Sequence, residues 1–157
     1  MESAKTLFLD IDGVLHANSI GELEYDATGP KVTGPRVCEL EGLLADLVAG
    51  IPVEIVVHST WVYMFGAKTL ATDYLPKLSK VARIAVTKRQ IPSRADRVLD
   101  HIRRRRLALS DVLILDDAAA EFVAAPMLGS RLVICDPSRG IDDPKVIERI
   151  REFLGQH

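Results

Sequence analysis

Short, mostly apolar runs alternate along this chain with segments in which apolar residues recur every three or four positions. The runs predict five strands that are buried on both faces of a sheet. They cover residues 6–9, 53–57, 83–87, 112–115 and 132–135. Helical spacing between these runs is typical of a parallel sheet with helices on both faces. We therefore expect an α/β fold: a three-layer α/β sandwich with a Rossmann-like, mostly parallel five-stranded sheet.

Capping residues mark the ends of the predicted helices. The helix that carries the apolar residues of 37–48 should end at Gly50. Ser93 is a candidate N-cap for the next long helix, and the last helix should begin near Asp143 with Pro144 in its first turn.

Two segments lack a regular pattern. Residues 16–35 are polar and rich in Gly and Pro, which predicts a long loop or a small flap. Residues 61–80 predict irregular structure followed by a helix through Leu70 and Tyr74. Neither segment is long enough to fold as a separate cap domain of ordinary size.

Composition adds limits on the class of protein. A chain of 157 residues with 48% apolar and 27% charged residues is typical of one globular domain, here 1–157. A net charge of −2 excludes a binder driven by bulk positive charge but allows a local basic patch. Cys38 and Cys135 form neither a disulfide framework nor a zinc set, so we expect a cytoplasmic protein. No apolar run is long enough to span a membrane, and nothing indicates an obligate protein partner.

Pairs of acidic residues follow two of the predicted strands. Asp10 and Asp12 come after the first strand, and Asp116 and Asp117 come after the fourth. Ligands of open parallel sheets bind at the carboxyl ends of the strands, so these acids should meet. Clustered carboxylates repel one another unless a cation neutralises them, and an all-oxygen ligand set favours Mg²⁺.

Hydroxyl and basic residues follow the second and third strands. Ser59 and Thr60 come after the second strand, Lys88 follows the third strand, and Arg94 stands at the start of the next helix. A hydroxyl and a fixed positive charge beside Mg²⁺ are suited to holding a phosphoryl group. The sequence therefore predicts a phosphoryl-transfer site.

The spacing of the first acidic pair suggests a mechanism. Asp10 and Asp12 can face one pocket if the strand breaks after Asp10, and Gly13 permits such a break. One carboxylate can then attack phosphorus while the other transfers the proton of the leaving group.

The motif around these acids resembles that of the haloacid dehalogenase-like (HAD) phosphohydrolases. Residues 7–15 resemble the first family motif, which implies that Asp10 is the nucleophile and Asp12 the general acid/base, with the Asp12 backbone carbonyl as a further metal ligand. Residues 55–59 resemble the second motif, which implies that Ser59 binds phosphate, with Thr60 as the alternative.

The remaining family motifs lie further along the chain. Residues 113–117 resemble the fourth motif, whose acids complete the Mg²⁺ site. The third motif supplies a Lys or Arg near the start of the preceding helix. Arg94 fits this position and Lys88 is its competitor.

The resemblance extends to a compact, capless bacterial subgroup that includes HAD domains of RNA-repair proteins. It rests on residues 12–16, on 59–61 and on 135–137, although Val62 stands where the subgroup usually has Arg. The resemblance implies a Mg²⁺-dependent phosphatase that acts through an aspartyl-phosphate. Its substrate would be a phosphomonoester: a nucleic-acid end, a nucleotide or a small phosphate ester. The alternative is a catalytically inactive HAD-fold binding module.

Four further features are interpreted as structural. We expect His16 to pack at the base of the flap, His58 to be a hydrogen-bonded core residue and Trp61 to serve packing. The arginine run 103–106 is interpreted as a solvated helix end, where positive charge is favourable.

Overall fold

The computed structural model describes residues 4–18 and 21–156. Its strands are β1 Lys5–Leu9, β2 Glu22–Asp26, β3 Gly29–Thr33, β4 Val53–Val57, β5 Arg83–Val86, β6 Val112–Asp116 and β7 Leu132–Ile134. Five of them form one parallel sheet in the order β5-β4-β1-β6-β7. The predicted α/β fold with a five-stranded parallel sheet is confirmed.

Helices connect the strands. They are α1 Glu41–Val48, the short α2 Ala67–Thr69, α3 Arg94–Arg105 and α4 Pro144–Phe153. The predicted caps of the last two are present: the Ser93 hydroxyl accepts from the backbone N–H of Asp96 at 3.4 Å, and the Asp143 carboxylate accepts from that of Lys145 at 3.0 Å. None of the helices in the described ranges is long and apolar enough to cross a membrane.

The sheet separates two apolar layers. Leu7 and Leu9 of β1 face one layer, which also contains the buried sides of α1 and α4. Phe8 faces the other layer together with residues of α3 such as Val98. This alternation follows from the two-residue period of a strand. It leaves the polar residues at the strand ends outside both layers, at one edge of the sheet.

The irregular segments are small. Within 16–35, β2 and β3 pair as an exposed antiparallel hairpin, while Ser19 and Ile20 lie outside the described residues. Between β4 and β5 the chain forms a 3-10 turn at Thr60–Tyr63, α2, a π-helical turn at Leu70–Tyr74 and a second 3-10 turn at Leu78–Lys80. Neither insertion forms a domain-sized cap over the sheet edge in the described part of the chain.

Candidate active site

Three carboxylates meet at the carboxyl edge of the sheet. Asp10 follows β1 and its backbone N–H donates to the carbonyl of Leu115 at 3.0 Å, so it lies beside the end of β6. Oxygen atoms of Asp10, Asp116 and Asp117 lie within 4.8 Å of one another. Asp10 and Asp116 are buried, at 2% and 0% exposure. The structure thus brings together three of the four acids that were expected to meet at the strand ends.

Gly13 makes room for the third acid. Its φ of +76° lies in the left-handed region that glycine adopts without strain. A Cβ at this position would overlap the carboxylate of Asp117. The turn after β1 therefore needs glycine both for its backbone conformation and for the close approach of Asp117.

The electrostatics of Asp10, Asp116 and Asp117 favour a bound cation. Burial and the neighbouring charge of Asp116 raise the pKa of Asp10 to about 9, against the opposing effect of Arg94. A carboxyl with this pKa binds a proton at neutral pH unless a cation replaces it. Three oxygen donors from Asp10, Asp116 and Asp117 suit a hard divalent cation, because such cations prefer oxygen ligands.

Arg94 is the cation that contacts the acids. From the first turn of α3, its Nη1 lies 2.9 and 3.1 Å from the two carboxylate oxygens of Asp116 and 3.5 Å from Oδ2 of Asp10. Burial opposes the charge of Arg94, but Asp10 and Asp116 raise the pKa of its guanidinium. The other candidate, Lys88, is exposed and lines a separate groove.

Asp12 is held apart from the three acids. Its Oδ1 accepts a hydrogen bond from His16 Nε2 at 2.7 Å, and its Oδ2 accepts one from Trp61 Nε1 at 2.9 Å. Burial raises the pKa of Asp12, but the bonds from His16 and Trp61 outweigh it and keep this pKa below its usual value. The Asp12 carboxylate thus lies outside the group of Asp10, Asp116 and Asp117, and two donors hold it as a separate group. Its place among the predicted metal ligands stays a prediction.

The tautomer of His16 follows from its second contact. His16 is fully buried, and its Nδ1 accepts a hydrogen bond from the backbone N–H of Cys38 at 2.9 Å. Nδ1 therefore carries no proton, so Nε2 does and donates to Asp12. His16 was expected only to pack at the base of the flap, but it also orients the carboxylate of Asp12.

His58 contacts Asp116 much as His16 contacts Asp12. Both side chains have no exposure to solvent, and His58 Nε2 lies 2.7 Å from Asp116 Oδ2. Burial lowers the pKa of His58, so the ring is neutral and donates from Nε2 to the carboxylate. Phe8 and Phe122 pack edge-on against the ring. The prediction of a hydrogen-bonded core residue is confirmed, and its partner is one of the clustered acids.

Ser59 and Thr60 follow β4 at the same edge. The Ser59 hydroxyl accepts from the backbone N–H of Trp61 at 3.1 Å, which caps the 3-10 turn, and the residue is 1% exposed. Thr60 is exposed. Of the two hydroxyl residues, Ser59 is thus the one that its surroundings hold in place.

Sequence reasoning missed Arg97. This buried side chain donates to the carbonyls of His58, Ile91 and Pro92 at 3.0 Å each, so it joins the end of β4 to the loop before α3. Its only sequence signal is a charge on the apolar face of α3, three residues after Arg94. The contact of Trp61 with Asp12 had a clearer sequence signal, because a buried indole N–H needs a hydrogen-bond acceptor and Trp61 follows a strand end.

Comparisons with known proteins identify a family and two solved structures. The sequence model of a family described as the HAD domain in Swiss Army Knife RNA repair proteins matches residues 6–146. A hypothetical protein from Xanthomonas campestris has a similar structure, with a TM-score of 0.50 and 18% identity over 98% of this chain and 84% of that one. A protein assigned to the HAD family hydrolases from Streptomyces avermitilis gives a TM-score of 0.48 and 15% identity over 96% and 84%. No curated protein sequence matches the chain.

Proposed function

This chain belongs to the HAD domain family of Swiss Army Knife RNA repair proteins, and from that premise we propose that it is a Mg²⁺-dependent phosphatase acting on phosphomonoesters. The observation that carries the proposal is the convergence of Asp10, Asp116 and Asp117, with the guanidinium of Arg94 in contact with Asp10 and Asp116. Acids that bind a metal, next to a fixed cation, are suited to the charge of a phosphoryl group.

The proposed substrate is a phosphorylated nucleic-acid end. The family is described by its occurrence in RNA repair proteins. In the part of the chain that is described, no domain-sized cap covers the sheet edge. No cap of that size therefore keeps a large substrate from this edge of the sheet, and a nucleotide or another small ester has the same access to the edge.

Asp10 is the proposed nucleophile. Its carboxylate oxygen attacks phosphorus and forms an aspartyl-phosphate, while the bond from phosphorus to the ester oxygen breaks. Asp12, when protonated, gives its proton to that departing oxygen. Two donors hold the Asp12 carboxylate in one orientation, which favours proton transfer along a defined direction.

Asp12 then acts in the opposite sense. A water molecule attacks the aspartyl-phosphate, Asp12 takes the water proton, and the bond from phosphorus to Asp10 breaks to release inorganic phosphate. The hydrogen bonds that lower the pKa of Asp12 favour its ionised form, which is the form needed in this second step.

The other residues bind charge. We assign Arg94 and the Ser59 hydroxyl to the phosphoryl oxygens, and Asp10, Asp116 and Asp117 to the metal, with the backbone carbonyl of Asp12 as the further ligand that the family resemblance implies. Bound Mg²⁺ would neutralise the phosphoryl oxygens and the carboxylates around it. His58 would keep the Asp116 carboxylate in its orientation toward the ion.

Phosphate release from p-nitrophenyl phosphate tests the proposal. We expect activity with Mg²⁺, none with excess EDTA, and none for Asp10→Asn. Asp46→Asn is the matched control, because Asp46 is exposed on α1, and it should keep full activity. Undiminished activity of Asp10→Asn would refute the nucleophile. Failure of the wild-type protein both to release phosphate and to bind Mg²⁺ in calorimetry would favour a binding module instead.

A further inference from the structure

A basic groove of about 380 Å³ lies between the turn after β4 and the loop after β5. Residues that line it include Val62, Phe65, Lys88, Arg89, Gln90 and Arg104. We propose that this groove binds the phosphodiester backbone of a nucleic-acid strand whose terminal phosphate lies at the clustered acids. The proposal rests on the proposed function and assigns the substrate's second contact site.

The charges that line the groove are positive. Lys88 and Arg89 are exposed and form no ion pair with any residue that the structure describes. Arg104 is paired with Asp100 at 2.8 Å, and Lys88 also lies close enough to lower the pKa of Asp100. Asp100 is thus the acid with which both Arg104 and Lys88 interact. The groove therefore carries an excess of positive charge, although the net charge of the chain is −2. This local excess of positive charge can neutralise backbone phosphates.

The groove is close to the candidate active site along two chain segments. Gln90 is four residues before Arg94, which limits the separation of their Cα atoms to about 14 Å. Val62 directly follows Trp61, whose indole contacts Asp12. A strand with its end at the acids can therefore reach the groove with its neighbouring nucleotides.

An exposed aromatic ring on the turn that supplies Val62 to the groove favours nucleic acid over an acidic phosphopeptide. Tyr63 follows Val62 and is 44% exposed, and its hydroxyl donates to the carbonyl of Pro92 at 3.3 Å. The guanidinium of Arg97 lies 5.1 Å from the centre of the Tyr63 ring and helps to hold it. A fixed, exposed aromatic ring next to phosphate-binding cations is the arrangement on which unpaired bases stack.

The first test compares two substrates in one protein. For each variant, kcat/KM for a 5′- or 3′-phosphorylated decanucleotide is divided by kcat/KM for p-nitrophenyl phosphate. We expect this ratio to fall at least tenfold in Lys88→Ala/Arg89→Ala and the salt dependence of oligonucleotide KM to weaken. Lys77→Ala/Lys80→Ala is the matched control, because these lysines line a different groove. An equal ratio in the two double variants would overturn the proposal.

The second test separates stacking from charge. Tyr63→Phe should keep the ratio of the wild-type protein, whereas Tyr63→Ala should lower it several-fold because only the alanine variant lacks a ring. A phosphopeptide series serves as the competing arm. If Lys88→Ala/Arg89→Ala weakens phosphopeptide turnover as much as oligonucleotide turnover, the assignment to nucleic acid is wrong.

Direct binding distinguishes this inference from the proposed function. Fluorescence anisotropy with an unphosphorylated, labelled RNA or DNA decanucleotide needs no catalysis and can be measured on Asp10→Asn. Binding that weakens at least tenfold when Lys88→Ala/Arg89→Ala is added supports the groove even if no phosphatase activity is found. Absence of binding to either strand at low salt would refute the groove, whatever the result with p-nitrophenyl phosphate.

Discussion

The indole Nε1 of Trp61 donates a hydrogen bond to Oδ2 of Asp12 at 2.9 Å, across 49 positions of sequence. The ring is 2% exposed and packs against Phe65 and Tyr74, so the donor has little freedom to move. His16 donates to the other oxygen of Asp12. Two rigid donors therefore set the orientation of the proposed general acid/base before any substrate binds.

Trp61→Phe should impair turnover without unfolding the protein. The phenyl ring retains most of the packing but removes the donor, and a hydrogen bond to a charged group contributes about 1.5–3 kcal/mol. If that contribution is made in the transition state, kcat falls about 10- to 100-fold. Steady-state kinetics with p-nitrophenyl phosphate and a thermal melt check the two parts of the prediction.

Phe65→Leu is the control for Trp61→Phe. Phe65 belongs to the same aromatic cluster but has no hydrogen bond to Asp12. It should lower the melting temperature while kcat of the folded protein changes little. Equal losses of kcat in the two variants would mean that packing, and not the indole donor, controls Asp12.

Arg94 and Lys88 can be distinguished as the third-motif cation by substitution. Arg94→Met removes a donor that lies between Asp10 and Asp116, and loss of one preorganised donor to transition-state charge costs about 10²- to 10³-fold in kcat. Arg94→Lys should recover part of this loss, because lysine restores the charge but not the planar fork. We expect Lys88→Met to lose far less activity toward p-nitrophenyl phosphate. A larger loss in Lys88→Met than in Arg94→Met would reverse the assignment.

The strands and the acids at their ends were predictable because both depend on local pattern. Apolar runs identify buried strands, and the parallel topology sends their carboxyl ends to one edge. This logic accounts for Asp10 and Asp116, which lie at the carboxyl ends of the neighbouring strands β1 and β6. It missed the β2–β3 hairpin. Leu23 and Tyr25 do alternate with acidic residues in β2, but the run is short, lies among Gly and Pro residues that predict a loop, and packs on no core, since all of its residues are exposed.

The partners of the acids were not predictable. The contact from His58 to Asp116 spans 58 positions and depends on how β4, β1 and β6 align in the sheet. His16 is only four residues from Asp12, but its ring orientation is set by the N–H of Cys38, 22 positions away. Long-range packing determines these contacts, and a single sequence carries no direct record of it.

His58 should control metal affinity. Residues that orient a metal ligand typically change affinity 10- to 100-fold when replaced. His58→Leu fills the buried site without a donor, so we expect the Kd for Mg²⁺ in isothermal titration calorimetry to rise by about that factor. His58→Gln retains a donor to Asp116 and should bind Mg²⁺ more tightly than His58→Leu. Identical affinities of both variants and the wild-type protein would show that the His58 contact does not orient Asp116.

The raised pKa of Asp10 predicts how metal-free stability depends on pH. This pKa is about 9 in the folded protein, because of burial and the charge of Asp116, against an ordinary value of 3.8. The folded state therefore holds a proton that the unfolded state releases. The resulting stability is fully present below pH 3.8 and is lost as pH rises toward 9. Asp12 and Asp116 have lowered pKa values and stay ionised above neutral pH, so they do not oppose this trend there.

A window from pH 7 to 8 reports mainly on Asp10. Burial raises the pKa of the Cys38 and Cys135 thiols to about 12, so these groups add a decline of the same sign, but mainly above this window, where the unfolded thiols approach their ordinary pKa of 9.0. The lowered pKa values of His58 and His101 affect stability mainly below this range, where the unfolded histidines take up protons. In EDTA, unfolding free energy from urea titrations should fall with pH, by at most about 1.4 kcal/mol per unit from this group. Asp10→Asn should remove that decline, whereas Asp46→Asn should retain it. Excess Mg²⁺ should reverse the decline in the wild-type protein, because the ion competes with the proton for the same carboxylate and binds more tightly as pH rises. A decline of equal slope in Asp10→Asn and the wild-type protein would mean that Asp10 is already ionised in the metal-free fold.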